Sequence, residues 1–326
     1  MKKLRIIGTG SALPEKVLTN AELEKMVDTS DEWITTRTGI KERRIADDNT
    51  ATSDLVVEAS KLALQQAGLN ASDLDAIIVA TVTPDTFYPS TGCWVQKGLD
   101  IKGIPAFDLS AACSGWLYGL EVASGLLTTG TCKYILLAGA ECMSKVTNWE
   151  DRNTCVLFGD GAGASVVAAT NDDCGILSST WGADGTIGDL LVQPAGGTRL
   201  PASHETVDKK LHTVHMKGNE VFKHAVRSMG DAAAYALKEA NVTGEEIALF
   251  IPHQANLRII EATCRRAKVS MDKTYITVHK YGNISAGTIP IALDEANRIG
   301  RIKRGDTLLF ASFGAGFTWA AIVLKW

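Results

Sequence analysis

The feature that most constrains the fold is a repeat. Near the start the chain reads Ala63-Leu64-Gln65-Gln66-Ala67-Gly68, then Ser72-Asp73-Leu74-Asp75, then an apolar run at 76–80. Much later it reads Ala236-Leu237-Lys238-Glu239-Ala240-Asn241, then Gly244-Glu245-Glu246, then a second apolar run at 247–251. A second pair follows. Ala112-Cys113-Ser114-Gly115 opens a helical stretch ahead of a strand pattern at 133–139, and Ile284-Ser285-Ala286-Gly287 does so ahead of 306–312. Both pairs keep one offset of 172–173 residues, as from Ala63 to Ala236 and from Ala112 to Ile284. Two independent pairs at one spacing imply a duplicated unit. The boundary falls near residues 170–175, giving an N-terminal half at 1–172 and a C-terminal half at 173–326.

Strand-like and helix-like segments alternate in each half, which is the pattern of an α/β fold. Short apolar runs at 4–8, 76–80, 134–139, 163–168, 247–251, 307–311 and 319–324 suit buried strands. Thr52-Ser53-Asp54 offers N-caps for a helix that runs to Ala67 and stops at Gly68. The stretches 30–50, 84–92, 145–160 and 183–215 are too long for simple connections, and insertions of that kind usually shape a site.

Composition narrows the function classes. With 326 residues, 45% hydrophobic and 21% charged, the chain is an ordinary globular one. A net charge of −4 gives no global reason for nucleic-acid binding. The opening Met-Lys-Lys-Leu-Arg-Ile-Ile-Gly is too short in apolar residues for a signal peptide, and no run approaches a membrane span. Seven cysteines without a CxxC pair argue against a disulfide framework and a zinc site. The expectation is a reduced, cytoplasmic protein with no metal.

Cys113 stands at a strand-to-helix junction, where the helix N-terminus favours a thiolate and the small neighbours Ala111, Ala112, Ser114 and Gly115 leave room for a substrate. The same residue would also fit as a small buried core cysteine. The other six cysteines lack this setting and are assigned to packing. His253 follows a buried strand, at the carboxyl end where α/β sheets place ligands, or it is a loop histidine satisfied by a carbonyl. Asn283 opens the helix that is the repeat mate of the Cys113 helix, and is otherwise an N-cap. The duplication sets the two helix starts face to face across a pseudo-twofold axis, so the three residues form one constellation. Ser312-Phe313-Gly314-Ala315-Gly316-Phe317-Thr318-Trp319 joins two strands by a small-residue turn that is either a plain hairpin or a source of backbone donors for an oxyanion.

Ala112-Cys113-Ser114-Gly115, His253-Gln254-Ala255-Asn256, Tyr281-Gly282-Asn283-Ile284-Ser285-Ala286 and Phe313-Gly314-Ala315-Gly316 together resemble the β-ketoacyl-acyl carrier protein synthase III family of thiolase-fold condensing enzymes. Asp31-Glu32-Trp33-Ile34 and Arg37-Thr38-Gly39-Ile40 match as well, so the resemblance spans essentially the whole chain. It implies a five-layered αβαβα fold of two duplicated halves and a homodimer. It also implies an initiating Claisen condensation between acyl-CoA and malonyl-acyl carrier protein, with no metal or redox cofactor.

On that resemblance, Cys113 takes the acyl group, His253 and Asn283 donate to the malonyl thioester carbonyl, and the backbone N–H groups of Cys113 and Ala315 or Gly316 form the oxyanion hole. Trp33 and Arg152 match residues that sandwich the CoA adenine, Arg37 lies near the CoA phosphates, and Asn256 belongs to the same CoA site. Arg258 matches a carrier-docking arginine, and Arg265, Arg266 and Lys268 extend a basic helix face, or a solvated one, for an acidic partner. Tyr88 matches a position that lines the acyl pocket, where an aromatic ring favours acetyl-sized starters.

Two departures stand out. The usual triple-glycine turn reads Gly314-Ala315-Gly316, which requires a negative φ at Ala315, and alanine follows Trp319. Three alternatives remain at this stage: a starter-loading or CoA-dependent ketosynthase of secondary metabolism, an acyl-CoA thioesterase, and a non-catalytic acyl- or CoA-binding protein.

Overall fold

Each half of the repeat builds its own sheet. The computed structural model describes residues 4–326, so Met1 to Lys3, part of the N-terminal reading above, lie outside the described residues. The first sheet contains β1 (Leu4–Ala12), β2 (Ala76–Ala80), β3 (Ala106–Leu109), β4 (Tyr134–Cys142) and β5 (Asp160–Ala169), in the order β1-β5-β4-β2-β3. The second contains β6 (Gly175–Ala183), β7 (Leu249–Pro252), β8 (Thr307–Gly314) and β9 (Thr318–Lys325), in the order β7-β8-β9-β6. Turned end for end, that is the β1-β5-β4-β2 portion of the first. β2 pairs in parallel with β4, as β7 does with β8, and the remaining mates pair antiparallel. Only β3 has no mate; a single bridge between Phe250 and Thr274 stands in its place.

Seven longer helices complete the layers: α1 (Asp31–Thr38), α2 (Thr52–Ala67), α3 (Thr91–Gly98), α4 (Gly115–Thr128), α5 (Gly218–Ala240), α6 (Leu257–Ala267) and α7 (Thr288–Arg298). α2 and α3 cover the outer face of the first sheet. α4 and α7 lie between the sheets, and α5, backed by α6, covers the second. The result is the five-layered αβαβα arrangement. The middle layer is apolar on both sides: Trp116, Leu117 and Leu120 of α4 and Ile289 and Leu293 of α7 are buried with Ile78 and Phe310 of the two sheets. This accounts for the near-continuous apolar strands, since a strand covered on both faces has no polar side to alternate with.

The repeat extends to single dihedral angles. α2 stops at Gly68 with φ 68°, and α5 stops at its mate Asn241 with φ 54°. Asparagine is the residue that best replaces glycine in that left-handed position. The start of α2 differs from expectation. Its N-cap is Ala51, whose N–H donates to the Asp54 carboxylate at 2.8 Å. The hydroxyls of Thr52 and Ser53 instead donate to the Thr83 carbonyl and to Asp85. Sequence patterning also passed over β6, an edge strand in which Ser178, Ser179 and Thr180 interrupt the apolar run.

The long insertions are anchored rather than loose. Residues 30–50 hold α1 and the strand Glu42–Arg44, which pairs with Val17–Thr19. Arg43 is fully buried and clamps this insertion to the one at 145–160. Its guanidinium donates to the Leu18 carbonyl, to Asn20 Oδ1 and to the Val156 carbonyl at 3.1, 2.9 and 2.7 Å. Burial draws its pKa down to about 10, so it stays charged at neutral pH. Asp160, at the start of β5, accepts from the Ala46 and Ser144 N–H groups and ties both insertions to the first sheet. Among the described residues no helix is long and apolar enough to cross a membrane.

The halves meet at backbone distance. A Cβ on Gly139 of β4 would lie 2.3 Å from the carbonyl oxygen of Ala286, in the turn ahead of α7. Gly139→Ala must push that turn away from β4, and overpacking of this kind costs about 1–3 kcal/mol. The midpoint of urea unfolding should fall at unchanged slope; an unaltered midpoint would show that the contact yields freely.

Candidate active site

Two left-handed residues place the central turns. Ala112, which opens the turn Ala112–Ser114, has φ 47°, and Ser285, which opens the matching turn Ser285–Gly287, has φ 45°. Neither is a residue type that favours this region, so both are held by their surroundings. The turn Ala112–Ser114 that carries Cys113 packs against Ser285–Gly287, which follows Asn283, and against β8. Thr318 Oγ1 donates to the Ala111 carbonyl at 2.8 Å and fixes the turn from the side of β9.

Cys113 opens onto a cavity of about 560 Å³ whose wall includes Ser285, Ala315, Gly316, Met143 and Phe158. The Gly314-Ala315-Gly316 turn lies directly against it. A Cβ on Gly314 would sit 2.6 Å from the Cys113 nitrogen, so glycine is required there by space. Gly316 takes φ 102°, and Ala315 is not among the residues with positive φ. The turn therefore accommodates its alanine at the one position that tolerates a side chain.

Ser285 joins the parts of the site. Its N–H donates to Asn283 Oδ1 at 2.8 Å, and its carbonyl accepts from Thr288 Oγ1 at 3.1 Å. Thr288 Oγ1 is in turn 2.6 Å from His253 Nδ1. The backbone N–H of His253 donates to the Ala311 carbonyl of β8 at 2.8 Å. Asn283 thus makes a cap-like local bond that engages its amide oxygen. His253 is satisfied by a hydroxyl rather than by the carbonyl that a plain loop histidine would use.

Burial controls the charges. His253 is 2% exposed, and loss of solvation draws its pKa down to about 3. The ring is neutral across the physiological range. Burial pushes the Cys113 thiol up to about 12; a hydrogen bond from Ser285 opposes this and the Glu141 charge adds to it. Burial thus acts against the thiolate that the helix N-terminus favours.

Glu141 escaped sequence analysis altogether. It lies fully buried on β4, its carboxylate taking hydrogen bonds from Thr81 and Thr83 side chains and from the Val82 and Thr83 N–H groups. Burial nevertheless raises its pKa to about 7. Its only sequence signal was a charged residue within an apolar strand.

The peripheral residues fall into separate groups. Trp33 lies under both Arg37 and Arg152, whose guanidinium carbons are 5.2 and 5.3 Å from the ring centroid. Asn256 Nδ2 donates to the Arg37 carbonyl at 3.0 Å, so the four are gathered in one place outside the wall of the Cys113 cavity. An adenine between Trp33 and Arg152 needs two stacking gaps of about 3.5 Å each. At 5.3 Å the pair is closed, and the arginine must swing aside to admit a base. Tyr88 does not line the cavity of its own chain. It is 87% exposed at the tip of the 84–92 loop, beside Phe87, which is 78% exposed. Arg258 and Arg265 are exposed two turns apart on one face of α6, the former over the Phe222 ring, whereas Arg266 is already paired with Asp231. Of the other six cysteines, Cys142, Cys155, Cys174 and Cys264 are buried, and Cys93 and Cys132 are partly exposed.

Comparison with known proteins gives a consistent result. Residues 107–185 match the family model described as 3-oxoacyl-[acyl-carrier-protein (ACP)] synthase III, and residues 237–326 match that of its C-terminal part. The chain is 60% identical to a beta-ketoacyl-[acyl-carrier-protein] synthase III of Caldanaerobacter subterraneus subsp. tengcongensis, covering 98% of this chain and 97% of the relative. It is 54% identical to the protein of that name from Natranaerobius thermophilus, over the full length of both. Among solved structures, 3-oxoacyl-[acyl-carrier-protein] synthase III from Aquifex aeolicus superposes with a TM-score of 0.91 at 48% identity, covering 99% of this chain and 100% of the other.

The neutral His253 makes a measurable prediction. On unfolding, the imidazole regains its ordinary value of 6.5, while the folded ring resists protonation down to about 3. Between those values the unfolded chain binds a proton that the native chain does not, so stability is lost as pH falls through the window. One such proton is worth about 1.4 kcal/mol per pH unit. His253→Ala should flatten the acid limb of the stability-against-pH curve by one proton; an unchanged slope would show the ring to be accessible and charged.

Proposed function

The chain belongs to the β-ketoacyl-acyl carrier protein synthase III family and is an acyl-transferring condensing enzyme of the initiating step of fatty acid synthesis, and on that footing we propose the following division of labour. The Cys113 sulfur attacks the carbonyl of an acyl-CoA; the carbon–sulfur bond to CoA breaks, and the thiol proton ends on the departing CoA sulfur. The backbone N–H groups of Cys113 and of Ala315 or Gly316 hold the intermediate oxyanion. Malonyl-acyl carrier protein then places its thioester carbonyl between His253 and Asn283. As the carboxylate leaves as carbon dioxide, its bonding electrons pass into an enolate whose oxygen these two neutral donors stabilise. The enolate carbon attacks the Cys113 thioester, a carbon–carbon bond forms, the carbon–sulfur bond to Cys113 breaks, and the freed sulfur takes up a proton from solvent. No step calls for a metal or a redox cofactor.

One observation carries this reading: a single hydrogen-bonded path joins Asn283, Ser285, Thr288 and His253 beside the Cys113 thiol. A low pKa for His253 supports a donor that never competes as a base. Met143 and Phe158 beside Cys113 suit a short acyl starter. Trp33, Arg37, Arg152 and Asn256 receive the nucleotide end of CoA, with Arg152 displaced by the base. Arg258 and Arg265 receive an acidic carrier protein. The working form is a homodimer: β3 is a sheet edge, and the neighbouring Phe87 and Tyr88 are too apolar to remain in water. A reducing compartment, the cytoplasm, fits seven free cysteines.

Incubation with a panel of acyl-CoAs should add one acyl group to Cys113, and malonyl-acyl carrier protein should discharge it as the β-ketoacyl product. Mass spectrometry follows both steps. Cys113→Ala should lose both, and Asn283→Ala should accept the acyl group but fail to decarboxylate malonyl-acyl carrier protein. Release of free acid in place of the condensed product would sink the proposal in favour of hydrolysis. Arg258→Glu should raise the apparent KM for the carrier substrate by roughly tenfold at unchanged acyl transfer from CoA. Equal damage to both steps would mark Arg258 as structural.

A further inference from the structure

We propose that Glu141 takes up the proton of the Cys113 thiol, by way of the Ser285 hydroxyl, as the sulfur attacks acyl-CoA. The proposal rests on the reading of Cys113 as the acyl-accepting nucleophile. A thiol attacks as its thiolate, so its proton must be passed to a base before or during the attack. Burial raises Cys113 to about 12, and the sulfur does not shed that proton unaided. His253, which holds a proton only below about 3, is too weak a base to take it.

The geometry of β4 supplies the acceptor. A Cβ on Gly139 would lie 2.3 Å from the Ala286 carbonyl oxygen, so that face of β4 looks directly onto the Ser285–Gly287 turn. Glu141 follows two residues later, and side chains at that spacing share a face. The same turn packs against Ala112–Ser114, which carries Cys113. Ser285 is 2% exposed and lines the Cys113 cavity. Its hydroxyl oxygen is buried and has no partner at full hydrogen-bonding geometry, a rare condition for a group that is not in use. It nonetheless favours the charged form of the Cys113 thiol and of the Glu141 carboxylate alike, as a hydroxyl near both would. Contacts of this kind are loose in a free enzyme and tighten when substrate is bound.

Glu141 is a fixed base rather than a mobile one, held by Thr81, Val82 and Thr83. Burial raises it to about 7, the range in which a base works best near neutral pH. The Cys113 and Cys142 thiols feel its charge. None of the charged residues on the elements packed around β4 leads in setting its value, Glu121 of α4, Asp160 of β5 and Asp294 of α7 included. In the step itself the thiol proton passes to the Ser285 oxygen while the Ser285 proton passes to the Glu141 carboxylate. The sulfur electron pair forms the bond to the acyl carbon, and the carbonyl pair moves onto its oxygen. When that pair returns, the carbon–sulfur bond to CoA breaks. The proton then travels back through Ser285 to the departing CoA sulfur, and Glu141 is again a carboxylate.

The test follows the full-length enzyme across pH. Single-turnover acylation is read by rapid quench and intact mass, using the acyl-CoA that loads Cys113 best. Cys113 is also alkylated with iodoacetamide, which needs neither CoA nor a starter. In the native enzyme both rates should fall about tenfold per pH unit below about 7 and level off above it, because only the ionised carboxylate accepts the proton. Glu141→Gln and Ser285→Ala should each slow acylation by ~10²-fold and remove the levelling, so that the rate keeps rising with pH as hydroxide takes over. Decarboxylation of malonyl-acyl carrier protein moves no thiol proton. It should persist in both variants and reports that they are folded. Should loss of the carboxylate disturb the Thr81–Thr83 segment, Ser285→Ala tests the path with Glu141 in place.

Native rates with no limb near pH 7 would overturn the proposal, and that measurement needs no variant. So would a Ser285→Ala enzyme that keeps both the native rate and its plateau. A native enzyme that shows the limb in alkylation but takes no acyl group from any acyl-CoA would instead overturn the role of Cys113 on which the proposal rests, a separate failure from a missing relay.

Discussion

The site depends on the contact of two backbones. At the centre of the molecule no side chain separates β4 from the turn that follows Asn283, and Gly139 meets the Ala286 carbonyl directly. A second close approach, of Gly314 to the Cys113 nitrogen, brings the opposite half equally near to Cys113. These two contacts fix how far apart the central helices start. Packed interiors transmit displacement rather than absorb it, so the positions of Cys113, Asn283 and His253 follow from them. Duplication is well suited to such a site, since each sheet delivers its helix start to the same axis.

Enclosure then decides the chemistry. Cys113, His253 and Glu141 all have values moved toward their neutral forms, and loss of solvation is the leading cause for each. An uncharged cysteine and an uncharged histidine do not form the ion pair that activates many cysteine enzymes. They suit a reaction that needs an acyl-accepting thiol and a neutral hydrogen-bond donor. Glu141 keeps its four donors and so holds the Thr81–Thr83 segment against β4, close to Cys113. The anchored insertions serve the same end: Arg43 clamps them to one another, Asp160 attaches them to the first sheet, and Phe158 stands in the cavity wall.

Much was legible before any fold was known. The offset of the repeat paired β2 with β7 and β4 with β8, and it set the Cys113 turn against the turn that follows Asn283. Helix stops at Gly68 and Asn241 were readable because left-handed backbone selects those residue types. Other features left little trace. Ala112 and Ser285 take the same left-handed conformation without the residues that advertise it. β6 was hidden by its polar residues, and the cap of α2 moved to Ala51 because Thr52 and Ser53 were engaged by the 84–92 loop region.

What the sequence determined by itself was local chemistry and periodicity: which segments are strands, which residues can react, and that the unit occurs twice. These follow from side-chain type and spacing, which persist whatever the chain does elsewhere. Only the tertiary structure decided the state of those residues. A thiol near a helix start reads as a thiolate until the walls that desolvate it are in place. Thr288 reads as an ordinary helical residue until His253, 35 positions away, comes within 2.6 Å of its hydroxyl. Tyr88 stands exposed on the 84–92 loop of the single chain, which its residue type did not foretell. Charge, hydrogen bonding and exposure are properties of the surroundings, and folding brings those surroundings together from residues far apart in the chain.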